Sequence, residues 1–165
     1  MESAWREHPK LKGRFHPEFP DDLQVVVHDN GPEGRGRQPE LVWVRLTACE
    51  GNAFSGVVLN QPQQLLDVSL SSQILFVVPE GGEHPLQVTR KYLEERSSWR
   101  LLAPCKTCGL TELFDPPSDL VASSFASVSA EDLSRGFTFT TRCRLCGGAM
   151  VVRLKRTVWP WSDSK

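Results

Sequence analysis

The sequence predicts a β-rich α+β protein: a small antiparallel sheet module with one short helix, followed by a second small module organised by cysteines. Three observations carry this. Four β-branched or apolar runs of strand length lie between residues 23 and 78, bounded by Gly, Pro, Asn and Asp. A single stretch rich in helix formers follows them, over residues 89–97. Four of the five cysteines then fall into two tight pairs beyond residue 98.

The elements follow in order. Pro9, Gly13, Pro17 and Pro20, among scattered charges, make the first 20 residues an irregular arm. Trp5, Phe15 and Phe19 are its candidate anchors to a core. Leu23 to His28 reads as a strand and stops at Asp29-Asn30-Gly31-Pro32, which supplies turn residues and breaks pairing. The Gly- and Pro-rich stretch 31–39 is a loop. Leu41 to Thr47 and Phe54 to Leu59 form a hairpin through Glu50-Gly51-Asn52, where Gly and Asn tolerate positive φ. Ile74 to Val78 supplies a fourth strand. Thr89 is placed to cap a helix running to Ser97 and linking the two modules. Leu110 to Phe114 reads as a strand halted by Asp115-Pro116-Pro117, and Ser129 to Gly136 as a helix of two turns. Phe137 to Arg142 and Met150 to Arg156 alternate as strands on either side of the second cysteine pair.

Charge marks a boundary just before Trp99. Residues 1–98 carry 10 basic and 14 acidic side chains, and residues 99–165 carry 9 and 6. A net charge of -1 therefore joins an acidic module, 1–98, to a basic one, 99–165. No field over the whole chain draws it to nucleic acid or an anionic surface. No apolar run reaches the roughly 18 residues of a bilayer span, and the N-terminus lacks the apolar stretch of a secretory signal, so a cytoplasmic protein is expected, with no membrane partner.

Cys105-Lys106-Thr107-Cys108-Gly109 and Cys143-Arg144-Leu145-Cys146-Gly147 are two copies of one device. A two-residue spacer lets both thiolates converge on one cation, and the glycine permits a turn that aims backbone amides at the sulfurs. Cys105, Cys108, Cys143 and Cys146 match a tetrahedral structural Zn2+ site, closed to water and so unsuited to metal catalysis. A redox dithiol needs only one such pair, on a βαβ frame; an iron or iron-sulfur centre is the other alternative. Strand, knuckle and strand over residues 137–156 resemble the zinc-ribbon family, which makes the second module zinc-ribbon-like over about residues 100–157. Cys49 stands apart as a small apolar residue or free thiol.

No enzyme is expected. His8, His16, His28 and His84 form no HExxH or HxH arrangement and read as surface or loop residues. No nucleophile elbow, phosphate loop or dinucleotide fingerprint is present. Adjacent acids Asp21-Asp22 and Glu94-Glu95 diverge in regular structure and read as solvated. The basic module carries Arg142, Arg144, Arg153, Lys155 and Arg156 with Phe137, Phe139, Trp159 and Trp161, a set suited to phosphates and bases or, in the two tryptophans, to a protein interface.

Two resemblances bear on function. Trp43-Val44, Phe54-Ser55-Gly56 and Leu59-Asn60-Gln61-Pro62 resemble the core of YegJ-like bacterial domains over about residues 41–79. That likeness implies a small β-rich fold and no established chemistry. The repeated motif is similar to the myxobacterial double-CxxCG family at Cys105, Cys108, Gly109, Cys143, Cys146 and Gly147. Some of its members are regarded as immunity proteins, which implies a noncatalytic bacterial protein that neutralises a cognate toxin by direct contact. A nucleic-acid-binding regulator using the basic ribbon is the alternative.

Overall fold

The computed structural model describes residues 4–30, 36–81, 83–124 and 136–155. Eight strands and two α-helices follow one another as β1 (Asp22–Val27), β2 (Glu40–Glu50), β3 (Ala53–Val58), β4 (Gln73–Val77), β5 (Leu86–Val88), α1 (Arg90–Glu95), β6 (Trp99–Ala103), α2 (Pro117–Ser124), β7 (Phe137–Arg142) and β8 (Ala149–Leu154). The molecule is β-rich, as expected, and the four expected strands of the first module are β1 to β4.

The first sheet is a closed barrel in the order β1-β2-β3-β4-β5, not an open sheet. Each neighbour along the chain pairs antiparallel. A meander of five strands brings its last strand parallel to its first, so the barrel closes on a parallel pair. That seam is short: Val26 registers with Leu86, and the Val26 amide donates to the Pro85 carbonyl at 2.8 Å. Closure removes the edges that an open sheet would expose.

The barrel interior is filled by alternate residues of β1 to β4, among them Val25 and Val27 of β1, Val44 of β2, Phe54 of β3 and Phe76 of β4. The N-terminal arm adds to this core. Leu11 is fully buried in it, and Trp5 and Phe15 pack against it. Arg6 holds the arm down with two bonds of 2.9 Å to the Asp21 carboxylate, which also accepts from Trp5 Nε1 at 3.0 Å. Phe19 is half exposed and anchors nothing.

The second sheet has the order β6-β8-β7, all antiparallel. Its inner face carries Trp99, Phe139, Met150, Val152 and Leu154. These pack in one core with Tyr92 of α1 and with Val26, Leu86 and Val88 from the outside of the barrel. Strand β1 is therefore buried on both faces, which explains why Val25-Val26-Val27 is an uninterrupted apolar run.

Thr89 caps α1, its hydroxyl accepting from the Tyr92 amide. Leu110 to Phe114 is not a strand. Its backbone polar groups go to the Cys105 amide, which donates to Leu110 O, and to the Tyr92 hydroxyl, which accepts from the Leu113 amide at 2.9 Å. The segment instead lays Leu110, Leu113 and Phe114 onto the second core. Asp115-Pro116-Pro117 launches α2, with Pro117 at the first helical position, where its missing N–H costs nothing. Glu95 of α1 receives the Ser118 amide at 3.1 Å and the Ser118 hydroxyl at the start of this helix. The helix expected over Ser129 to Gly136 lies outside the described residues apart from Gly136, as do Arg156, Trp159 and Trp161.

Candidate metal centre

Both cysteine pairs sit on turns at one end of the second sheet. The first follows β6; the second joins β7 to β8. In each, the residue after the second cysteine turns back: the Gly109 amide donates to Cys105 O at 2.9 Å, and the Gly147 amide to Cys143 O at 2.7 Å. These glycines have φ of +79° and +81°, a region any other residue enters only with strain. The amides inside each turn point at sulfur, those of Thr107 and Cys108 toward Cys105 and those of Leu145 and Cys146 toward Cys143.

The two turns face each other. Cys105 Sγ lies 3.3 Å from Cys146 Sγ, and Cys108 Sγ 3.7 Å from Cys143 Sγ, with all four sulfurs within 4.8 Å of one another. A tetrahedron with bonds of about 2.3 Å has edges of about 3.8 Å, so the four thiols fit a single tetrahedral cation. Among the described residues they are the one group of His, Cys, Asp or Glu side chains so arranged. Gly148 makes the approach feasible, because a Cβ there would stand 2.5 Å from Cys105 Sγ and 2.8 Å from Thr107 Oγ1. The Lys106 amide donates to Ala149 O at 3.2 Å and ties the first turn to β8.

The metal-free cluster titrates unevenly. Burial opposes ionisation of Cys105, but the amides of Cys108 and Thr107 outweigh it and hold its thiol down at about 6. Burial pushes Cys143 up to about 12. Four neighbouring sulfurs cannot all carry charge without a cation between them. Cys105 and Cys143 are buried while Cys108 and Cys146 are exposed, so solvent reaches the cluster from one side. Cys49 is exposed and stands outside this group, its thiol directed to Gly51 O at 3.6 Å.

The second turn is also fastened to the barrel. Arg144, between Cys143 and Cys146, has a side chain only 10% exposed. Its Nη2 donates to Asp29 O at 3.0 Å, and its Nη1 lies 3.3 Å from Asp115 Oδ2 and 3.4 Å from His28 Nδ1. His28 is fully buried, contrary to the expectation of a surface position. Its Nε2 is 2.8 Å from Gln87 O and its Nδ1 3.2 Å from Asp29 O, so each ring nitrogen faces a carbonyl acceptor, and Nδ1 also stands beside the Arg144 guanidinium. Burial first, and the Arg144 charge second, bring the His28 pKa down to about 4. Burial raises Asp115 to about 6, partly opposed by Arg144. Phe114 completes the contact, its ring 4.9 Å from His28 and 5.1 Å from the guanidinium.

Sequence reasoning groups the four cysteines that the structure brings together and misses this anchor. Arg144 was grouped with the solvent cations of the ribbon, whereas the structure spends it on the barrel. Its place inside the knuckle was the one available signal. The paired acids diverge as expected, yet only Glu94 is fully exposed: Asp22 is buried against Arg45, and Glu95 against Ser118. Two clefts remain, of about 460 Å³ beside the second knuckle and about 500 Å³ between α1 and the β2–β3 hairpin. Comparison with protein-family models, curated proteins and solved structures finds no match. No described helix is long and apolar enough to cross a membrane.

Proposed function

We propose that this chain is a noncatalytic zinc-binding interaction protein that works by direct contact with a protein partner, in its most concrete form an immunity protein that neutralises a cognate toxin. Zinc suits the site because four converging thiolates close its tetrahedral shell and leave no position for substrate or water. The observation that carries the reading is how the buried titratable side chains are used. His28 bonds to Gln87 and Arg144, Tyr92 to Glu112 at 2.6 Å, Glu95 to Ser118, and Asp115 to Arg144. Each is committed to a contact that holds one element on another, and none stands beside a poised nucleophile. Such a scaffold is rigid, and rigidity favours recognition by reducing the entropy lost on binding. The motif likeness at the six Cys and Gly positions supports the immunity reading, with the acidic barrel module meeting a basic toxin surface.

Purification of the tagged, metal-loaded protein from its native host, with identification of what co-purifies, tests this. Recovery of a secreted toxin domain at fixed stoichiometry, whose toxicity the protein suppresses, is the expected result. A turnover activity that survives loss of every partner would overturn it.

A further inference from the structure

The outer face of the three-stranded sheet is built unlike any other surface of the molecule. Strands β6, β7 and β8 contain no acidic residue. Register fixes which side chains share the solvent face. Arg100 pairs with Arg153, which pairs with Thr138; Thr140 pairs with Val151; and Arg142 pairs with Ala149. Lys155 continues the outward parity of β8, and Lys106, whose backbone amide donates to Ala149 O, is exposed at the other end. Arg100, Lys106, Arg142, Arg153 and Lys155 are all exposed, and none forms an ion pair among the described residues. Several arginines elsewhere are paired with acids: Arg6 with Asp21, Arg45 with Asp22, Arg144 with Asp115.

Arg100 directly opposite Arg153 is a costly arrangement for a sheet, because like charges in cross-strand register repel. Thr138 accepts from Arg153 Nη1 at 2.9 Å, which orients this guanidinium without neutralising it. From Arg153 to Ala149 the strand rises about 13 Å, so cations stand at both ends of a strip floored by Val151 and Ala149 and edged by threonine hydroxyls. Guanidinium groups and hydroxyls are phosphate donors. The ribbon phenylalanines are absent from this face: Phe139 is buried, and Phe137 stacks on it at 6.0 Å on the inner side. Among the described residues this face offers guanidinium, ammonium and hydroxyl groups rather than aromatic rings, which favours a duplex backbone over unstacked single strands.

The geometry points to this face as a binding surface for the phosphate backbone of double-stranded nucleic acid, contacted by Arg100, Arg153, Arg142, Lys106 and Lys155 without reading sequence. It stands on residues that the proposed protein contact does not use, and goes beyond that reading. Fluorescence anisotropy of the metal-loaded full chain with a labelled duplex DNA, from about 50 to 200 mM salt, tests it. Binding is expected to weaken with salt at a log-log slope of about 4, and the double variant Arg100→Ala with Arg153→Ala should lower that slope by about 2 and the affinity at least about tenfold. Arg90→Ala, on α1, should change neither. Metal content and near-ultraviolet dichroism report whether the double variant is folded; if it is not, Arg142→Ala with Lys155→Ala makes the same prediction. Failure of the parent to bind duplex at about 50 mM salt overturns the proposal, as does an unchanged slope in a folded variant. Salt-sensitive binding to polyglutamate but not to duplex, lost in the same variants, overturns it in favour of an acidic protein partner.

Discussion

Arg144 and Asp29 are joined across the molecule: a guanidinium held between two cysteines of the four-thiol cluster donates to a main-chain carbonyl just beyond the first barrel strand, 3.0 Å away. Asp29 is itself fixed, its carboxylate accepting the amides of Leu66 at 2.9 Å and Asp67 at 2.7 Å. The metal knuckle thus grips a loop that the barrel has already made rigid. Replacing Arg144 with Ala leaves Asp115 buried without its counter-charge. Loss of one partner of a buried ion pair costs about 3 to 5 kcal/mol. Chemical denaturation of Arg144→Ala should show a loss near that size. Arg144→Lys should recover less than half of it, because an ammonium cannot serve Asp29 and Asp115 together. Equal stability of the lysine variant and the parent would remove the fork geometry from the account.

Removing the metal tests how far its influence travels. Cys143→Ser should abolish stoichiometric zinc, read by elemental analysis of the purified chain. If 1–98 and 99–165 are independent units, amide exchange should quicken only after Trp99. The second core predicts a wider effect, because Tyr92 of α1 and Leu86 and Val88 of β5 pack with Trp99 and Met150. Faster exchange is therefore expected in β5, α1, β6 and β8, while β2, β3 and β4 stay protected. Exchange confined to residues beyond 99 would favour the division that charge alone suggests.

What the sequence disclosed follows from periodicity. Strands β2 and β8 alternate cleanly because one face of each is wet, and β7 ends where Arg142 meets the knuckle. The four-cysteine cluster was legible because a two-residue spacer brings the thiols of each pair together on one turn. Three features were hidden for physical reasons. Strand β5 has three residues and follows Pro85, too short to show a period. Strand β6, Trp-Arg-Leu-Leu-Ala, carries a bulge between Leu101 and Ala103 that disrupts alternation and leaves Leu102 exposed. The Arg144 anchor depends on His28, Asp29 and Asp115, which lie up to 116 positions away and share no spacing rule.

Gly148 offers a test of the closeness of the two knuckles. Gly147 and Gly148 are neighbours with different constraints. Gly147 has positive φ and open space around it, so Gly147→Ala costs backbone strain of about 1 kcal/mol and leaves the sulfurs in place. A Cβ at Gly148 collides with Cys105 Sγ and Thr107 Oγ1, so Gly148→Ala must push the first knuckle away. Competition with a chromophoric chelator should show zinc affinity falling about 10- to 100-fold in Gly148→Ala, the range seen when support around ligands is lost. Gly147→Ala should fall much less. The reverse order would mean that turn strain, not packing between the knuckles, limits the site.

Acid should act on the same junction through His28. In the folded chain its pKa is about 4, against 6.5 unfolded, because burial and the Arg144 charge both disfavour the imidazolium. The unfolded state takes up a proton below pH 6.5 and the folded state does not until about 4. His28 therefore contributes stability that is fully present above 6.5 and is lost as pH falls through this window. Asp115 runs the other way: its folded pKa is raised to about 6 from 3.8, so its contribution is complete below 3.8 and lost as pH rises through 6. The two offset each other in the parent, and a single stability curve hides both. The difference between parent and His28→Gln isolates the histidine, since Asp115 and the thiols remain in both. Between pH 7 and 5 that difference should shrink by about 2 kcal/mol in favour of the variant. A difference that stays constant would mean that burial and the Arg144 charge leave the folded His28 pKa where it lies in the unfolded chain.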